Sequence, residues 1–140
     1  MHPQPRVLFV CVKNGGKSQM AAGLLRKAAG DRITVESAGT RPGSAVNALS
    51  AESLREVGVD ISSETPQLVT DEMVRRADLV VTLGRDAKLE PSGGTPVENW
   101  DTDEPSTRGI DGIERMRLVR DDIAARVDSL SRQLLGTPED

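Results

Sequence analysis

This chain contains no tyrosine, one phenylalanine (Phe9), one tryptophan (Trp100), one histidine and one cysteine among its 140 residues. Each shortage excludes something. A single cysteine rules out an intramolecular disulfide and any metal site built from several thiolates. The one histidine, His2, stands in the proline-flanked segment Met1-His2-Pro3-Gln4-Pro5, so neither a Cys–His dyad nor a histidine zinc site is expected. No apolar run approaches a membrane span, and the N-terminus lacks an apolar signal-peptide core. Acidic residues (22) outnumber lysine plus arginine (18), for a net charge of −4. No basic stripe remains to neutralise phosphates, so neither a nucleic-acid nor a membrane partner is expected. The cytoplasm is the natural expectation. A small anion stays open as a ligand, because a local field can oppose the global charge.

What remains reads as one domain over 6–135, with 1–5 and 136–140 as flexible termini. Arg6 to Val12 is a continuous apolar run, the pattern of a buried parallel strand. Ser18 to Ala29 has helical spacing and a C-terminal Gly30. Ile33 to Ser37 reads as a second strand, Asn47 to Val57 as a helix, and Thr70 as the N-cap of another helix holding Met73, Val74 and Ala77. Leu79 to Leu83 is a third strand and Val97 to Trp100 a brief fourth. Loops are expected over Leu89 to Pro96 and Asp101 to Gly109. In the last helix Ile113, Met116, Val119, Ile123, Val127, Leu130 and Leu134 form one apolar face, with Arg117–Asp121 and Asp122–Arg126 as i, i+4 pairs opposite. Strands alternating with helices predict an α/β parallel sheet whose ligands bind beyond the carboxyl ends of the strands.

One such end is Cys11-Val12-Lys13-Asn14-Gly15-Gly16-Lys17-Ser18. A glycine loop running into a helix N-terminus turns backbone N–H groups and the positive end of the helix dipole inward, which suits an oxyanion. The same field favours thiolate over thiol, the reactive form of Cys11. Three readings compete. A nucleotide-phosphate loop matches at Gly16, Lys17 and Ser18, but Cys11 replaces its first glycine and no strand ends in a magnesium-holding aspartate. A buried structural cysteine is the common fate of a strand-end thiol, though a core position needs no glycine loop, two lysines and a serine.

The third reading is a resemblance. Val7 to Ala21, with Glu36-Ser37-Ala38-Gly39-Thr40, resembles the signature of low-molecular-weight tyrosine phosphatases and their arsenate reductase relatives. The likeness continues through Leu79 to Leu83, Trp100 to Pro105, and Glu114 to Asp121, in order over nearly the whole chain. It implies a flavodoxin-like three-layer fold around a four-stranded parallel sheet. The departures choose among relatives. Lys17 stands where the phosphatases carry an arginine, and a lysine supplies a point charge rather than a bidentate clamp. Glu104-Pro105-Ser106-Thr107 replaces an Asp-Pro followed by tyrosines, so an aromatic substrate loses its stacking partners. Thioredoxin-coupled reductases carry two further cysteines past the third strand; here that stretch, Gly84 to Pro91, has none. Relatives with a potassium site use a glutamate where Ala22 stands, so no metal is expected.

The details most resemble single-cysteine, mycothiol-dependent arsenate reductases, the arsenate–mycothiol transferases. The resemblance implies Cys11 as nucleophile, with Lys17, Ser18 and the N–H groups of Val12, Lys13, Asn14, Gly15 and Gly16 around the oxyanion. It implies loop-organising roles for Asn14 and Ser37, for which ordinary turn chemistry is the blander account. Glu104 takes the general-acid place, with Asp101 and Asp103 as competitors and a solvated acidic loop as the plain alternative. No bound cofactor is implied. Arsenate is the substrate, mycothiol the thiol co-substrate, and a mycoredoxin the downstream partner. A phosphatase-like hydrolase, a non-catalytic oxyanion-binding module and an interaction protein with a vestigial loop are the alternatives.

Overall fold

The computed structural model describes residues 4–89 and 93–136. His2, residues 90–92 of the Leu89 to Pro96 segment and the tail beyond Gly136 lie outside them. Four strands form one parallel sheet: β1 (Arg6–Cys11), β2 (Thr34–Gly39), β3 (Leu79–Leu83) and β4 (Val97–Trp100), in the order β2-β1-β3-β4. The helices are α1 (Lys17–Ala29), α2 (Ala48–Arg55), α3 (Asp71–Arg76) and α4 (Gly112–Leu135). The chain leaves β1 for β2 on one side, then returns to β3 on the other. The crevice of the switch in strand order therefore opens at the end of β1, directly at Cys11.

Alternation along β1 builds two cores. Val7, Phe9 and Cys11 face α1 and α4, where they meet Met20, Leu25, Val119 and Ile123. Leu8 and Val10 face the other way, onto Met73, Val74 and Ala77 around α3. This gives the three layers expected, with β1 buried on both faces. Phe9 and Trp100 make a tilted aromatic contact, ring centroids 5.7 Å apart. At about 25 cal/mol per Å² of apolar area, such fully buried side chains each contribute roughly 1.5–3 kcal/mol against the entropy of ordering the chain.

Several boundaries differ from the sequence reading. β2 runs on through Ala38 and Gly39, because parallel pairing with Val10 and Cys11 supplies the backbone partners. Ala77 leaves α3 for an extended conformation, since the chain must straighten into β3. α2 is shorter than Asn47 to Val57: Asn47 caps it by accepting from the Ser50 N–H at 2.9 Å, and Leu49 stays exposed while Ser50, Ala51, Ser53 and Leu54 pack inward. Pro105–Arg108 forms a 3-10 turn inside the predicted loop. Gln4 and Pro5, assigned above to a flexible arm, are tied down: Thr34 N–H donates to the Pro5 carbonyl at 2.8 Å and Thr34 Oγ1 donates to Gln4 Oε1 at 3.1 Å. Gly136, likewise assigned to a terminus, caps α4 by donating to the Arg132 carbonyl at 2.8 Å.

The pair Asp122–Arg126 holds at 3.2 Å, but Arg117 does not meet Asp121. Arg117 and Arg120 both reach across to Glu56, just past α2, at 2.6 and 2.8 Å. A tertiary carboxylate offering two oxygens outcompetes the i, i+4 neighbour, and Asp121 pairs with Arg120 instead. Among the described residues no helix is long and apolar enough to cross a membrane.

Candidate active site

The loop after β1 owes its shape to where its carbonyls go. The Cys11, Val12, Lys13 and Gly15 carbonyls accept from the N–H groups of Thr40, Arg41, Gly43 and Asn47, at 3.0, 2.8, 2.9 and 2.6 Å. With the oxygens held outward by the 40–47 segment, the peptide planes turn their N–H groups inward. Among the described residues, the N–H groups of Lys13, Gly15, Gly16, Lys17 and Ser18 have no protein acceptor. Gly16, the N-cap of α1, has no side chain to cap the helix, and the first turn carries no acidic residue, so its positive end is not neutralised. The close fit demands small residues. A Cβ on Gly39 would lie 2.6 Å from the Val12 oxygen, and one on Gly15 would lie 2.9 Å from the Ala45 oxygen.

Cys11 forms the floor, 8% exposed. Its Sγ lies 2.9 Å from Ser18 Oγ, and the Asn14 N–H donates to it at 3.2 Å. Asn14 Nδ2 donates to Ser18 Oγ at 2.7 Å. Ser18 Oγ thus bridges Asn14 and Cys11, and either Sγ or Oγ can donate in the contact between them. The Asn14 N–H and the Ser18 hydroxyl converge on Sγ and fix its position at the base of the loop.

Asn14 holds the loop together from a fully buried position. Its φ of 53° lies in the left-handed region, which asparagine tolerates better than most residues. Its Oδ1 accepts from the Gln67 N–H at 3.0 Å and from Gln19 Nε2 at 3.4 Å. Ser37 is brought to the same region, beside Phe9 in β2, but no described hydrogen bond joins its hydroxyl to the loop. Its link runs through Gln67, whose Nε2 donates to the Ser37 carbonyl at 2.8 Å. Gln19 and Gln67 were not legible as site residues. Gln67 is 53 positions from Asn14 in a segment with no periodicity, and only the bridge between Gly39 and Leu68 carries it there.

Of the three acidic candidates, Glu104 alone reaches the loop. Lys17 Nζ donates to Glu104 Oε1, while Arg115 from α4 stands 3.4 Å from Oε2. Asp101 is held by Arg85 and Asp103 by Arg108, at 3.2 and 2.8 Å, and those guanidiniums keep both carboxyls below the usual range. Burial pushes the Glu104 carboxyl up, but the hydrogen bond and charge of Lys17, followed by those of Arg115, outweigh it and leave it lowered. Glu104 is therefore an ion-paired carboxylate at neutral pH. On the sequence Arg115 is one of many helix arginines. It lines a cavity of about 420 Å³ with Lys13, Lys17, Met116 and Val119. Among the described residues no three metal-binding side chains lie together.

A four-stranded parallel sheet with a cysteine-bearing glycine loop and an uncapped helix N-terminus at its switch point defines an α/β fold of the flavodoxin-like class. The low molecular weight phosphotyrosine protein phosphatase model matches residues 6–137, and the chain belongs to that family. An arsenate reductase of Staphylococcus epidermidis is 36% identical over 128 residues, covering 88% of this chain and 93% of its own. Among solved structures, a thioredoxin-dependent arsenate reductase of Corynebacterium glutamicum is 35% identical with a TM-score of 0.75, covering 94% of this chain. This chain spans 62% of that protein's length. An arsenate reductase in the phosphate binding state is 28% identical with a TM-score of 0.79, covering 94% of this chain and 99% of its own.

Proposed function

We propose that this protein is an arsenate reductase acting as an arsenate–mycothiol transferase in the cytoplasm, with a mycoredoxin downstream. The arsenate reductases among its relatives support the substrate. The observation that carries the transferase step is Cys11 itself: a thiol held by the Asn14 N–H and the Ser18 hydroxyl at the base of a loop of inward N–H groups, in a chain with no second cysteine. Such a site can form an arsenic–sulfur bond but cannot resolve it alone.

Arsenate enters with its oxygens on the loop N–H groups and displaces Glu104 from Lys17. Glu104 then takes a proton from the bound arsenate. The Cys11 thiolate attacks arsenic, the arsenic–oxygen bond breaks, and the oxygen leaves as water with the proton from Glu104. Arsenic stays at +5. The sulfur of mycothiol attacks next, its proton passing to the Glu104 carboxylate. The bond from arsenic to Cys11 breaks, and the arseno–mycothiol adduct departs. Reduction to arsenite follows elsewhere, when a mycoredoxin thiol attacks the mycothiol sulfur and the two thiols become a disulfide.

The test is a turnover panel: arsenate with mycothiol, glutathione or bacillithiol, each with its redoxin, beside aryl phosphate hydrolysis. Mycothiol-dependent turnover lost in Cys11→Ser, with phosphate binding retained, is the expected result. Fast aryl phosphate hydrolysis without arsenate turnover assigns a phosphatase instead, and anion binding without either assigns a binding module.

A further inference from the structure

Glu104 is held by two cations on two different oxygens. Lys17 Nζ donates to Oε1, and Arg115 Nη2 stands 3.4 Å from Oε2. An oxyanion that takes Lys17 therefore breaks one contact and leaves the other in place. Arg115 is placed against local preference: it lies in the opening turn of α4, where the helix dipole opposes a cation. Asp111, one turn earlier, does not pair with it. Among the described residues its carboxylate partner is Glu104, 11 positions away. The hold is also unfinished. A guanidinium carries five N–H donors, yet the 3.4 Å contact is long, and the buried Nε has no acceptor among the described residues. A carboxylate freed from Lys17 can complete that fork, with two parallel bonds in place of one long one.

The charges around Glu104 leave Arg115 without a substitute. The cavity that Arg115 lines also carries Lys13 and Lys17 and no carboxylate. On the other side of Glu104, Asp86, Asp101 and Asp103 stand with Arg85 and Arg108. Those two guanidiniums are taken by Asp101 and Asp103, at 3.2 and 2.8 Å. We propose that Arg115 is the positioning residue of the acid: once an oxyanion holds Lys17, Arg115 keeps the Glu104 carboxyl at the mouth of the Cys11 loop. The part this carboxyl plays in turnover rests on the transferase reading above; the anchoring itself does not. Burial pushes the carboxyl up, and Lys17 and Arg115 pull it down. With Lys17 drawn away, burial is opposed by Arg115 alone, so the carboxyl rises toward the range in which it passes a proton. Without Arg115 it rises further and loses its place.

The experiment follows the Glu104 carboxyl by 13C NMR, its signal identified by its loss in Glu104→Gln, in the free protein and with inorganic phosphate in the loop. Phosphate is expected to raise the carboxyl in the wild type. Arg115→Met is expected to raise it further, and more in the phosphate-filled protein than in the free one, while Arg115→Lys returns it partway. In turnover of arsenate, Arg115→Met lowers kcat by about tenfold, part of what a general acid supplies, and leaves KM for arsenate within about threefold. In a Glu104→Gln background the same change alters kcat by less than about twofold, since a residue acting through Glu104 has nothing left to act on. A Glu104 carboxyl that titrates in Arg115→Met as it does in the wild type overturns the anchoring. Two kinetic results overturn it and leave the transferase reading standing. One is a rise in KM of about tenfold at unchanged kcat, which assigns Arg115 to the oxyanion; the other is an undiminished loss of kcat in the Glu104→Gln background. If the carboxyl shifts as expected but no thiol receives arsenic, the anchoring stands and the transferase reading falls.

Discussion

Lys17 and Glu104, 87 positions apart in the chain, close on each other across the mouth of the Cys11 loop. Lys17 comes from the first turn of α1 and Glu104 from the residue before a 3-10 turn. The pair stands in for the charge balance that an oxyanion would bring, so substrate and carboxylate compete for one ammonium.

That competition gives Glu104→Gln a split signature. Removing the acid lowers kcat by about 100-fold, within the usual span for a general acid. Freeing Lys17 leaves KM for arsenate unchanged or lower. The pH dependence follows from the lowered carboxyl of Glu104. Above that range the pair is formed and opposes the anion; as pH falls through it, Glu104 is protonated and the opposition is lost. Phosphate affinity of the wild type, measured against Glu104→Gln, should therefore converge at acid pH. A variant with wild-type kcat would remove the carboxylate from the mechanism.

Asn14 separates backbone from side chain. Asn14→Gly keeps the left-handed φ but deletes the bonds to Ser18, Gln67 and Gln19. Alkylation of Cys11 at neutral pH should slow several-fold. Asn14→Ala should slow it similarly and cost about 1–2 kcal/mol more in unfolding, from the strain of a Cβ at that φ. Equal stabilities for the two variants, read by denaturant melts, would contradict this account.

Gly39→Ala places a methyl group 2.6 Å from the Val12 carbonyl, a backbone atom that cannot rotate away. Overpacking of this kind costs about 1–3 kcal/mol. Because the displaced carbonyl belongs to the loop, phosphate binding should weaken along with Tm. Calorimetry with and without phosphate tests both at once: the stabilisation by phosphate should shrink.

Glu56 clamps α2 to α4, and Arg117 and Arg120 hold its carboxyl at about 2, against an ordinary value of 4.5. A depressed carboxyl contributes stability that is full above 4.5 and disappears as pH falls toward 2. Glu56→Gln should lower Tm at neutral pH, and its deficit should vanish over that acid window. A deficit that persists below it would locate the effect in packing rather than charge.

Much of the fold was legible before the structure. Continuous apolar runs marked β1 and β3, and seven apolar positions in register marked α4, of which Met116, Val119, Ile123, Val127 and Leu130 are buried. Thr70 marked the start of α3, where its Oγ1 accepts from the Met73 N–H at 3.2 Å. Charge pairing was read less well. Local spacing assigned Arg117 to Asp121, whereas Glu56 from another element took it. Periodicity reports which face of a helix is buried; it does not report which distant carboxylate arrives at the other face.

The sequence by itself determined the local chemistry: a single thiol, a glycine loop running into a helix, and the absence of any second cysteine to resolve an adduct. These are short-range features, written in consecutive residues and governed by backbone sterics and helix electrostatics. Only the tertiary structure decided which acid serves the loop, which amides anchor Asn14, and how charge is divided between the two cavities beside Lys17 and Glu104. Those outcomes depend on parallel pairing and crossovers that bring residues 53 to 87 positions apart within hydrogen-bond reach, and no local pattern encodes such distances.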